Sequence, residues 1–161
     1  MLKKLLGFAL GFNKEIAHLR KELSLLSFDK AWGMHTRSAL SRLNGFSNDH
    51  MVTTALLYFD GLGERKKEIG EVEVDNRIRT VFKQPLRQSD TVVRWDDDEV
   101  AMVFASDNGG AEIPLKRLAE SAEEQGIAFS YTMKKCNPSK TLLPEVFREL
   151  SKIVKKKVEK Q

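Results

Sequence analysis

Cys136 is the only cysteine in the chain, which excludes a disulfide-stapled scaffold and fits a reducing compartment. The three histidines, His18, His35 and His50, are not spaced as metal ligands. No segment approaches the ~20 consecutive apolar residues of a transmembrane helix. The opening run Met1 to Leu10 imitates a signal peptide, but its apolar stretch is short and charged helical sequence follows without a small-residue cleavage site. A cytoplasmic location is expected. A central basic stripe interleaved with aromatics is missing too. The net charge is +4, but lysines gather at the two ends, at Lys3 and Lys4 and from Lys152 to Lys160, so a nucleic-acid partner is not expected.

What is present suits one compact domain with an extension, because 161 residues fall within the roughly 100 to 200 expected per domain. From Leu5 to Leu26 the apolar positions Leu5, Ala9, Phe12, Ile16, Leu19, Leu23 and Leu26 advance in alternating steps of four and three, with charges between them. That is a coiled-coil seam, and it predicts residues 1–27 as an extended helix that forms a homodimer. Two alternatives stay open: a helix packed on its own domain, or one whose Leu2, Leu5, Leu6 and Phe8 lie on a membrane surface beside Lys3 and Lys4.

Residues 28–161 carry the domain. A helix over Thr36 to Leu43, stopped by Asn44-Gly45, precedes a buried strand over Val52 to Phe59 that runs into Asp60-Gly61. A helix bearing Ile78, Val81 and Phe82 ends by Pro85 or shortly after it. The β-rich runs Thr91 to Trp95 and Val100 to Ala105, separated only by Asp96 to Glu99, make a hairpin. A helix that Pro114 opens and Gly126 closes, a strand over Ile127 to Met133, and an amphipathic helix with Leu143, Val146, Phe147, Leu150, Ile153 and Val154 complete the chain. The expected fold class is α/β, an α+β sandwich in which helices cover a mainly antiparallel sheet.

Four stretches bear on function. Asp29 to Arg37 is similar to the motif D-x-L-T-G-L-x-N-R, matching at Asp29, Gly33 and Arg37. Tyr58-Phe59-Asp60 stands where D-(I/V/L)-D-x-F would lie. Arg94-Trp95-Asp96-Asp97-Asp98-Glu99-Val100 is similar to the turn G-G-(D/E)-E-F, and Arg87-Gln88-Ser89-Asp90, five residues before it, is an R-x-x-D. Together they resemble a degenerate GGDEF, or diguanylate cyclase-like, domain, and the resemblance runs from about Phe28 to the C-terminus. It implies a ferredoxin-like palm of the nucleotidyl cyclase type and a role in cyclic di-GMP signalling.

The resemblance also assigns roles. Asp98 is implied to bind metal and Glu99 to assist deprotonation of the attacking hydroxyl. Tyr58 takes the place of the first metal-ligand Asp, where a phenol is a poor substitute for a carboxylate, and Asp60, on the same strand face two residues on, is a weak replacement. The guanine-contacting pair falls on Lys66, in place of Asn, and Asp75, with Gly70 also matching. Asp96 and Asp97 stand at the two glycines that let the backbone approach the substrate's triphosphate. Each would set a carboxylate beside a polyanion, and two unit charges at about 4 Å repel by about 4 kcal/mol at an effective dielectric of 20. Asp tolerates the left-handed conformation, so a solvated hairpin turn is the structural alternative for Asp96 to Glu99. In the last helix Lys155 to Lys157 keep the period of the family's phosphate-holding basic residue without its motif. Arg87 and Asp90 match the inhibitory site at which many cyclases bind cyclic di-GMP, a task for which the planar arginine fork is suited.

These readings predict a module without diguanylate cyclase activity that binds cyclic di-GMP at Arg87 and Asp90 or contacts a protein partner, and that needs no cofactor. The first alternative is an active cyclase making cyclic di-GMP from two GTP, with Mg²⁺ or Mn²⁺ held by Asp98 and Asp60. The second is a dimeric scaffold that binds no nucleotide.

Overall fold

The computed structural model describes residues 2–40, 50–87, 89–105 and 110–161. The chain opens with α1 (Leu2–Leu26), followed by the short strands β1 (Phe28–Asp29) and β2 (Met34–Thr36) and a 3-10 turn (Arg37–Ala39). Next come β3 (Val52–Tyr58), α2 (Leu62–Ile69), α3 (Glu71–Val81), β4 (Thr91–Asp96) and β5 (Glu99–Phe104). Helix α4 (Glu112–Glu124), β6 (Ser130–Cys136) and α5 (Leu143–Val158) complete it.

The six strands form one sheet in the order β1-β2-β4-β5-β3-β6. Every neighbouring pair is antiparallel except β2 with β4, so the mainly antiparallel expectation holds. Strand β3 lies between β5 and β6 and its sequence is almost wholly apolar, as a strand covered on both faces requires. The period of two then sorts its side chains. Ala55, Leu57 and Phe59 join Val74, Ile78, Leu115 and Leu118 in a core under α3 and α4, whereas Leu56 joins Trp95, Phe147, Leu150 and Val154 under α5, with Tyr58 packed at that core's border. Strand β5 divides the same way, Val100 and Met102 toward the first core and Ala101 and Val103 toward the second.

Several boundaries differ from the sequence expectations. Instead of a helix from Thr36, the chain makes β2 and a single 3-10 turn, because Thr36 continues the pairing with Arg94; Asn44-Gly45 lies outside the described residues. The expected helix before Pro85 is two helices, α2 and α3, parted at Gly70, and α3 ends at Val81. Strand β6 starts three residues later than Ile127, since the N–H of Ile127 is bonded back to the carbonyl of Ala122 and closes α4. Along α1, Phe12 and Leu19 are exposed. Among the described residues no helix is long and apolar enough to cross a membrane.

Candidate functional site

The β4–β5 hairpin closes through a two-residue turn, Asp97-Asp98, between the paired Asp96 and Glu99. Among the described residues no residue other than glycine has positive φ, so the turn does not use the left-handed conformation that Asp tolerates. A register shift between Arg94 and Asp96 supplies the local twist that such a turn lacks. The carbonyl of Asp98 accepts the N–H of Phe59 (2.9 Å), which ties the turn to the end of β3.

Pairing places Tyr58 directly opposite Glu99, and alternation from Ala101 and Val103 turns Glu99 toward α5. There it is fully buried. Ser151 Oγ donates to Glu99 Oε1 (2.6 Å), and Lys155 Nζ, one helical turn further on, lies 3.2 Å from the same oxygen. Lys155 Nζ is also 5.6 Å from the centroid of the Tyr58 ring. Burial works to lower the Lys155 pKa, but the hydrogen bond and charge of Glu99, followed by the charges of Asp98 and Asp96, leave it raised above 10.5. Asp98 is half-buried; burial first, and Glu99 and Asp96 after it, push its carboxyl above the ordinary 3.8 against the pull of Lys155. Burial, then Asp98, Asp60 and Glu99, likewise hold the Tyr58 phenol above 10.0, with Lys155 opposing. Tyr58 therefore offers a neutral oxygen at physiological pH.

That donor set does not fit a pair of divalent cations. A neutral phenol is a weak ligand for Mg²⁺ or Mn²⁺, Glu99 already faces an ammonium and a hydroxyl, and among the described residues no three His, Cys, Asp or Glu side chains form a metal-ligand group. Asp60 is exposed in the turn beyond β3 and lines a small cavity of about 100 Å³ with Arg65 and Gly126 to Ala128. Asp96 and Asp97 are exposed, Asp97 almost completely.

The two residues matched to guanine recognition have different partners. Asp75 Oδ1 accepts the indole N–H of the buried Trp32 (2.8 Å), whereas Lys66 Nζ lies 3.5 Å from Glu71. Trp32 is held in turn by the loop between β1 and β2. Its N–H donates to Asp29 Oδ1 (2.8 Å), Arg94 bonds the other Asp29 oxygen (2.7 Å), and the Arg94 guanidinium stacks 3.9 Å from the Trp32 ring. Gly33 in that loop has φ +69°, and a Cβ there would come within 3.3 Å of the Arg79 stem, so glycine is required. Arg37 lies over the Trp95 ring, donates to the Trp95 carbonyl and faces Asp96 at 3.8 Å. The three matched residues Asp29, Gly33 and Arg37 thus brace the hairpin.

Arg87 and Asp90 occupy the joint between α3 and β4, where the N–H of Asp90 donates to the carbonyl of Arg87 (2.9 Å). Arg87 is exposed and Asp90 half-buried. Among the described residues neither side chain has a recorded hydrogen bond or ion pair, in contrast to Arg37, Arg79 and Arg94. Sequence reasoning had weighed Lys155 only within a lysine run and missed Ser151 and Trp32 as contacts of site residues.

No family model and no curated protein matches the sequence. Solved structures do. The coiled coil and GGDEF domain of DgcB from Caulobacter crescentus superposes with a TM-score of 0.66 at 15% identity, covering 94% of this chain and 90% of that one. The FimX GGDEF domain from Pseudomonas aeruginosa gives 0.65 at 16% identity over 80% and 90%. This chain has the GGDEF-domain fold. Diguanylate cyclase SiaD from Pseudomonas aeruginosa, solved with its activator SiaC, is 20% identical with a TM-score of 0.59 over 84% of this chain. The present chain spans 60% of SiaD's length. In this GGDEF fold the hairpin turn Asp97-Asp98 is the site of the signature, and the joint before β4 is the site of the R-x-x-D.

Proposed function

We propose that this GGDEF-fold chain serves cyclic di-GMP signalling by binding cyclic di-GMP at Arg87 and Asp90, without cyclase activity, as a dimer paired through α1. The observation that carries the binding reading is the Arg87–Asp90 turn. It holds an exposed guanidinium and a carboxylate at one joint, neither engaged by another described side chain, and arginine grips phosphate oxygens or a guanine edge bidentately. Two solved relatives of the same fold, DgcB and Vibrio cholerae LapD, are complexes with c-di-GMP. Against cyclase activity stand the neutral Tyr58, the pairing of Glu99 with Lys155, the engagement of Asp75 by Trp32, and the carboxylates of Asp96 and Asp97 where a triphosphate would approach. The seam residues Phe12 and Leu19, exposed on α1, support pairing with a second copy.

Calorimetry with cyclic di-GMP tests the reading. Wild type is expected to bind, and Arg87→Ala to bind about 10- to 100-fold more weakly, the loss of charge-assisted hydrogen bonds worth about 1.5–3 kcal/mol. GTP with Mg²⁺ or Mn²⁺ should give no cyclic dinucleotide. A product that disappears on Asp98→Ala would establish an active cyclase instead, and silence with both nucleotides would leave the scaffold.

A further inference from the structure

Glu99 is fully buried, and a carboxylate taken out of water must have a cation or several hydrogen bonds to remain ionised. Its Oε1 has two partners, Ser151 Oγ at 2.6 Å and Lys155 Nζ at 3.2 Å, while Oε2 is buried with no hydrogen-bond partner among the described residues. Lys155 is thus the nearest full positive charge that the described ion pairs bring to Glu99. Around that ammonium stand Glu99 on β5, Asp98 and Asp96 at the turn, and the Tyr58 ring on β3. One cation serves a cluster of carboxylates that, with a phenol in their midst, lacks the ligands for a divalent ion.

We infer that Lys155 is a tethered counter-ion for the acidic hairpin, an ammonium carried by α5 that neutralises Glu99 and Asp98 in place of a metal and makes the folded turn independent of divalent cations. The geometry suits this role. Ser151 and Lys155 lie one turn apart on α5, so the helix presents a hydroxyl and a charge to the same carboxylate oxygen. Helix α5 is anchored on the sheet by Val146, Phe147, Leu150 and Val154, which sets the reach of the lysine. A lysine engaged in this way is also withdrawn from any incoming phosphate. The inference concerns the hairpin alone and stands whether or not Arg87 binds a nucleotide.

A double-mutant cycle in the full chain tests it, with Lys155→Met, Glu99→Gln and the double variant melted in EDTA and in excess Mn²⁺. Lys155→Met is expected to lower Tm by about 4–10 °C, because it strands a buried carboxylate, and adding Glu99→Gln is expected to return most of that loss. Should Lys155→Met fail to fold, a folded double variant gives the same answer. Wild-type Tm should be equal in EDTA and Mn²⁺. Additive effects of the two substitutions, a double variant as unstable as Lys155→Met, or wild type stabilised by Mn²⁺ would each overturn the inference.

Discussion

At the turn, Asp98 is held partly out of water beside Glu99 and Asp96, and its carboxyl is raised above 3.8 chiefly by that burial. A carboxyl that binds its proton more tightly folded than unfolded contributes its full stability below the unfolded pKa and loses it as pH rises through the folded one. Asp98 should therefore cost stability at neutral pH. Asp98→Asn is expected to raise Tm at pH 7 by about 2–4 °C, corresponding to no more than about 1 kcal/mol after solvent screening, and the gain should vanish near pH 3.5. Melts at the two pH values check it, and a gain that persists in acid would assign the effect to packing. At this scale the sequence revealed the acidic run and the substitution of Tyr58 for a carboxylate, since motif spacing survives when chemistry changes. It concealed Ser151 and Trp32. A serine on a helix and a tryptophan in a loop carry no signal of their partners, and the choice of Lys155 from a run of three lysines depends on the helix phase set by Val154 and Leu150.

Among the elements, α4 shows how far local rules extend. Pro114 lies in its first turn, where an absent N–H costs nothing. Gly126 ends it with φ +67°, its N–H bonded to the Glu123 carbonyl and that of Ile127 to Ala122, which is a Schellman closure. Both residues were legible because helix ends are written in a few positions. A Cβ on Gly126 would meet Arg65 Nη2 and Arg77 Nη1 at 3.2 Å each. Gly126→Ala should thus combine left-handed strain with displacement of the Arg77 bond to the Gln125 carbonyl, costing about 1–2 kcal/mol and about 2–8 °C in Tm; thermal melts and faster amide exchange at Gln125 to Ile127 would register it. Strands β1 and β2, two and three residues long, escaped notice because a period of two needs more residues to appear. Their existence depends on pairing with β4, a contact distant in sequence.

For the whole molecule, the sandwich was readable because β3 is continuously apolar and α5 has one apolar face, so each side of the sheet announces its cover. The position of α1 was not settled by pattern, since a narrow seam suits a partner helix, its own domain or a membrane surface equally well. The structure leaves Phe12 and Leu19 on that seam exposed, with α1 meeting the domain chiefly through β1. Burying a large apolar side chain is worth about 1.5–3 kcal/mol, so two such residues per helix, doubled by symmetry, supply a driving force that only association can realise. Leu19→Glu places a charge in the seam of both helices at once. Light scattering coupled to size exclusion should show a dimer for wild type and a monomer for the variant. Because Leu19 makes no part of either core under the sheet, the melting of the isolated fold should change little. A dimer that survives Leu19→Glu would place the association on the β-sheet domain instead, and a monomeric wild type would remove the pairing from the proposal while leaving the Arg87 site untouched.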